Sequence, residues 1–132
     1  MRHLTLILTL FFSTLMFASP AYADWEWISK NENGTFYVDT DRIRTNGGYV
    51  YYWELVDLLK PLTSGNLSYK VYNQVDCNLF RYKNLSGTFY NEPMGEGSGD
   101  TFSPPNPEWN YPAPNTSAES ILNQVCKFAE NL

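Results

Sequence analysis

Residues 67–77 read Leu-Ser-Tyr-Lys-Val-Tyr-Asn-Gln-Val-Asp-Cys. Leu67, Tyr69, Val71, Val75 and Cys77 form an apolar and aromatic row broken only by Asn73, and Ser68, Lys70, Tyr72, Gln74 and Asp76 form the opposite row. A period of two held over this length marks a β-strand with one face against a core. Cys77 belongs to the row that faces inward.

The neighbouring segments extend the same reading. Tyr49 to Leu59 is the longest strand candidate, with Tyr49, Tyr51, Trp53 and Leu55 on one face and Val50, Tyr52, Glu54 and Val56 on the other. Neither face is polar, which predicts a central strand covered at least in part on both sides. Upstream, Trp25 to Ile28 is aromatic-rich, Asn31 to Gly34 is a turn cluster, and Thr35 to Val38 is β-branched and aromatic. A short Arg42-Ile43-Arg44 piece leads to Asn46-Gly47-Gly48, a hairpin signal. Downstream, Leu79 to Leu85 and Thr88 to Tyr90 read as two strand pieces separated by a turn at Asn84 to Gly87.

Residues 91–114 carry Gly95, Gly97 and Gly99 and then Pro104, Pro105, Pro107, Pro112 and Pro114, so a long loop is expected, pinned by Trp109 and Tyr111. Thr116 with Glu119 three residues later is a capping box. Ile121, Leu122, Val125, Cys126, Phe128 and Ala129 then recur at helical spacing. Cys126 lies within that stripe as Cys77 lies within the apolar row of its strand, so both sulfurs look into one core.

The amino terminus is a different kind of segment. Arg2 and His3 precede a nearly unbroken apolar run from Leu4 to Phe17, and Ala21-Tyr22-Ala23 follows Ser19-Pro20. A charged start, a short apolar centre and a small-x-small exit define a cleaved secretory signal over residues 1–23, and the run is shorter than the roughly 20 residues of a membrane span. No transmembrane segment is expected once it is removed. Taking 23 residues from 132 leaves 109, one domain over residues 24–132. Arg2 leaves with the signal, so eight basic face 14 acidic side chains, a net charge of −6. Nucleic acid and anionic membranes are poor partners for such a chain. The single histidine, His3, leaves as well, which excludes imidazole-based catalysis and histidine-ligated metal. In an oxidising compartment the two cysteines, Cys77 and Cys126, are expected to pair.

Candidate sites follow from the strands. The aromatic set Tyr51, Tyr52, Trp53, Tyr69, Tyr72 and Tyr82 is a candidate stacking platform for sugars or peptides, restricted to Tyr52, Tyr72 and Tyr82 on the less apolar face, the alternative being that most of the set fills the core. Arg81 and Lys83 alternate on one strand and, with Lys70, form a candidate anion or partner patch, the alternative being a solvated sheet face. Glu54 and Asp57 are three apart and point to opposite faces, a poor catalytic carboxylate pair. Asp39 and Asp41 read as turn caps rather than calcium ligands. Gly95-Glu96-Gly97-Ser98-Gly99 lacks the lysine and helix of a phosphate loop. Ser68 and Lys70 share a strand face, which leaves a serine–lysine hydrolase as the enzymatic alternative.

Phe36-Tyr37-Val38-Asp39 with Ile43, Trp53-Glu54-Leu55-Val56-Asp57, Ser68, Cys77 and the Pro114-Asn115-Thr116-Ser117 start of a helix carrying Cys126 together resemble the surface-adhesin protein E family. The resemblance spans residues 25–128. It implies an antiparallel sheet of about six strands, with the C-terminal helix tied to the sheet's concave face by a disulfide. It also implies an adhesin-like role, with homodimers.

The combined reading is an α+β domain, exported to the periplasm or cell surface, without cofactor, metal or catalytic residues. It recognises a protein or cell-envelope component through Tyr52, Lys70, Tyr72, Arg81, Tyr82 and Lys83, or through its glycine-rich loop. The alternatives are a histidine-free hydrolase using Ser68 and Lys70 or carboxylates, and a structural envelope protein with no ligand.

Overall fold

Gly47 and Gly48 both take left-handed backbone, with φ of 59° and 84°. That conformation closes a two-residue hairpin whose twist matches its strands, and only glycine adopts it twice in succession without steric cost. The turn joins β3 (Arg44–Asn46) to β4 (Tyr49–Leu58) and sets Arg44 opposite Tyr51. The computed structural model describes residues 23–132; the signal expected over residues 1–23 lies outside them except for Ala23.

Around β4 the chain builds a seven-stranded sheet in the order β1-β2-β4-β5-β6-β7, with β3 beside β4 off this path. Every pairing is antiparallel. The other strands are β1 (Trp25–Lys30), β2 (Gly34–Asp39), β5 (Ser68–Asp76), β6 (Arg81–Tyr90) and β7 (Gly99–Phe102). Asx turns close two connections: Asn31 Oδ1 accepts from the Asn33 and Gly34 amides, and Asp76 Oδ1 accepts from those of Asn78 and Leu79.

Two expectations are corrected. Residues 81–90 form one strand without a turn at Asn84–Gly87, because the register shifts by one residue opposite Tyr72/Asn73 and the bulge absorbs Leu85. The glycine-rich segment also supplies β7, which pairs with β6 and lays Phe102 against Phe89, ring centroids 5.1 Å apart. Gly87 permits that approach, since a Cβ there would meet the Phe102 ring at 2.5 Å.

The one α-helix among the described residues, α1 (Ser117–Ala129), starts as its sequence predicts. Thr116 Oγ1 accepts from the Glu119 amide at 3.3 Å, and the Glu119 carboxylate reaches back to the amide of Asn115, one residue before the usual capping-box partner. Ile121, Leu122 and Val125 are buried against Val38, Val50, Tyr52 and Val75, each contributing roughly 1.5–3 kcal/mol of apolar burial. Phe128, expected in the same stripe, is 39% exposed. Cys77 and Cys126 form a disulfide with Cα atoms 5.8 Å apart, tying α1 to the end of β5. The helix covers one face of the sheet, and the other face lies open except under residues 93–95 and Trp109.

Candidate functional site

Strand pairing decides which side chains share the open face. Trp53 sits opposite Tyr72, Tyr51 opposite Gln74 and Leu55 opposite Lys70. The Tyr72 ring lies 4.9 Å from Trp53 and is stacked at 6.0 Å on Tyr51. Arg42 and Arg44 flank Trp53 and Tyr72 around a shallow hollow of about 260 Å³. A second hollow, of about 510 Å³, is bordered by Trp25, Trp53, Lys70, Tyr90 and Met94. Lys70 Nζ stands 5.1 Å from the Tyr90 ring and 5.8 Å from that of Trp25. At the far end Trp109 packs on Tyr49 at 5.7 Å, with Arg81 Cζ and Lys83 Nζ at 4.2 and 4.4 Å from its ring.

The result is a row of aromatic rings interleaved with cations, a geometry in which each charge meets a π-face. Of the nine lysines and arginines in the sequence, five (Arg42, Arg44, Lys70, Arg81 and Lys83) gather here. Four acids lie nearby: Asp39 pairs with Arg42 at 3.5 Å, Asp76 pairs with Arg81 at 3.1 Å, Asp57 accepts from the Met94 amide, and Glu96 borders the second hollow. The Leu79 amide first, then Arg81 and the Asn78 amide, hold the Asp76 carboxyl below its ordinary range. Arg44, Lys70 and Lys83 are left without an ion-pair partner among the described residues, a small excess of cation on a chain whose overall charge is negative.

Lys70, Tyr72, Arg81 and Lys83 thus share one surface. Tyr52 and Tyr82 do not. Tyr52 is 1% exposed and points under α1, which leaves it nothing to present to a partner. Tyr82 also points to the helix side. The physical reason is register: Tyr52 stands opposite Asn73 and Tyr82 opposite Val75, on the face away from Tyr72. Arg42, Arg44, Trp25 and Tyr90 join the open face without having been singled out from the sequence. The Gly47-Gly48 hairpin carried that signal for Arg44, because a two-residue turn sets it opposite Tyr51. Trp109 does pin its loop, as expected, whereas Tyr111 is 65% exposed.

On the helix side a cavity of about 330 Å³ opens between β4–β6 and the first turns of α1. Glu54 lines it, accepting from the Tyr52 hydroxyl at 3.2 Å. Burial pushes the Glu54 carboxyl up to about 7, against the opposing pull of that hydrogen bond. Burial, followed by the nearby Glu54 charge, pushes Tyr69 up to about 12 and also raises Tyr82. Asp57 lies on the other face, so the two carboxylates are divided by the sheet.

The Ser68 hydroxyl is buried and hydrogen-bonded on both sides. It donates to the Glu92 carbonyl at 2.7 Å and accepts from the Gly95 amide at 2.8 Å. It clamps the 93–95 turn over Leu55, and its proton is directed at the Glu92 carbonyl rather than at a Lys70 base. Asp39 caps the turn at Thr40–Arg42 through the Asp41 amide.

Residues 25–127 match the family described as surface-adhesin protein E. Among solved structures, the chain is similar to Haemophilus influenzae protein E at 19% identity and a TM-score of 0.62, covering 87% of this chain and 94% of that one. A second crystal form of that protein gives 19% identity and 0.62 over 82% and 91%. Protein E from non-typeable Haemophilus influenzae gives 19% and 0.61 over 86% and 84%. At such identities the structures share the fold. No curated protein sequence matches the chain.

Proposed function

The chain belongs to the surface-adhesin protein E family, and on that premise we propose that it is an exported, non-enzymatic binding protein of the cell envelope or surface. Its uncovered sheet face takes an acidic segment of a partner protein. The observation that carries this reading is the convergence of Arg42, Arg44, Lys70 and Lys83 on Tyr51, Trp53, Tyr72 and Trp109, on a chain whose overall charge is negative. Charge complementarity selects and steers such a partner, and the rings supply contact area of low conformational-entropy cost. A second copy is a poor occupant, since two basic faces repel; a homodimer would use another surface.

Surface plasmon resonance with immobilised protein tests the reading, with a tyrosine- and glutamate-rich oligopeptide as probe and its glutamine analogue as control. The acidic peptide binds and the glutamine analogue does not, and affinity falls as salt rises. The double change Arg44→Glu, Lys83→Glu weakens binding by at least about tenfold, with the thermal transition lowered by no more than the lost contact of Lys83 with Trp109. Equal binding of the two peptides, or no effect of charge reversal, removes the open face from the function.

A further inference from the structure

The cavity beneath the first turns of α1 lies on the opposite side of the sheet from the open face and has its own chemistry. At about 330 Å³ it stands at the small end of the range for ligand pockets. Its one ionisable acid is Glu54, and no lysine or arginine lines it. Phe36, Tyr69 and Tyr82 provide aromatic walls. Beside it, Asn73 is 2% exposed and its Oδ1 has no hydrogen-bond partner among the described residues. The helix start does not make the site an anion receptor, because Glu119 in the first turn already offsets the helix dipole.

A carboxylate set in protein and left without a counter-cation is costly, and aromatic faces attract cations. We propose that this cavity binds a primary ammonium group on a short aliphatic stem, with Glu54 as its anionic partner and the Tyr69 and Tyr82 rings around the charge. The ammonium carries three donors and no acceptor, which suits a site whose charged group is an acceptor. Two sources present this chemistry: a free alkylamine, and the lysine side chain of a partner protein. Neither rests on the open face.

The titratable groups facing Glu54 are Tyr52 on its own strand, Tyr69 on β5 and Tyr82 on β6, and all three are neutral in the physiological range. Glu26, opposite Val38 on β1, is two strands away, and the lining residues of α1 do not titrate. Ammonium binding therefore follows the ionisation of Glu54 alone.

Calorimetric titration of the mature protein is the test, with 1,5-diaminopentane and Nα-acetyl-lysine amide as probes and glucose and acetate as neutral and anionic controls. Both amines, or one of them, bind saturably at pH 8, more than about tenfold more weakly at pH 5.5, and the controls do not bind. Preference for acetyl-lysine amide identifies a protein side chain as the source, and preference for the diamine a free amine. Carbon-13 NMR of the Glu54 carboxyl shows its titration moving to lower pH when an amine is present. Glu54→Gln abolishes binding. Ala118→Trp, which fills the cavity wall without touching the carboxylate, abolishes it too and guards against misfolding of the first variant. Absence of amine binding by the folded protein, equal binding of glucose or acetate, or amine binding retained in folded Glu54→Gln overturns the proposal.

Discussion

The Tyr52 hydroxyl donates to Oε1 of Glu54 at 3.2 Å, two residues further along the same face of β4. The bond lowers the acid's proton affinity, but burial raises it more, and the folded carboxyl titrates near 7 against 4.5 for an ordinary glutamate. Between those values the folded state holds a proton that the unfolded state has released. Folding stability therefore falls as pH rises from about 4.5 to 7, by at most about 3 kcal/mol given the partial access through the cavity. Urea unfolding at pH 5 and pH 8 measures the difference. Glu54→Gln flattens that part of the profile and makes the variant the more stable protein at pH 8.

Trp109 is the anchor of the long connection between β7 and α1. It packs on Tyr49 beneath Arg81 and Lys83, and the neighbouring Asn110 exchanges two backbone hydrogen bonds with Tyr82. Trp109→Ala removes one aromatic pair and two cation–π contacts, a loss of about 1–3 kcal/mol. Limited proteolysis then cuts between residues 103 and 114 well before the sheet unfolds. Equal resistance of the variant and the parent protein places the anchor elsewhere.

Much of this architecture was legible because each element carried its own local signal. The Gly47-Gly48 turn, the alternation from Leu67 to Cys77 and the Thr116–Glu119 box all specify structure from within a few residues. The candidate site was less legible because it depends on register between strands. Alternation within β4 separates Tyr52 from Trp53, but both of its faces are aromatic, so nothing local says which one meets Tyr72. Pairing puts Trp53 there and sends Tyr52 under the helix. Leu85 illustrates a second limit: a bulge reads as a turn when the partner strand is unknown. Strand β7 is a third case, since its glycine-rich sequence holds an extended form only by pairing with the edge of β6.

Ser68 sets a clear expectation for chemistry. Its hydroxyl bridges the Glu92 carbonyl and the Gly95 amide, so Ser68→Ala removes two part-buried hydrogen bonds and costs about 1–2 kcal/mol. A sulfonyl fluoride probe, which labels activated serines, leaves the folded protein unlabelled at this position. Labelling of Ser68 in the native protein restores the hydrolase alternative.

The disulfide between Cys77 and Cys126 spans 49 residues of sequence. Closing a loop of that length removes chain entropy from the unfolded state worth about 4 kcal/mol. A comparable share of a small domain's total stability rests on it. Reductant should therefore shift the urea midpoint strongly downward, and the Cys77→Ser, Cys126→Ser protein should unfold at the reduced midpoint with or without reductant. Because the bridge joins α1 to the sheet, amide exchange in residues 117–129 should rise first on reduction, with β4 and β5 still protected. Coincident midpoints for the oxidised and reduced protein would show that the apolar seam of Ile121, Leu122 and Val125 holds the helix without the sulfur link.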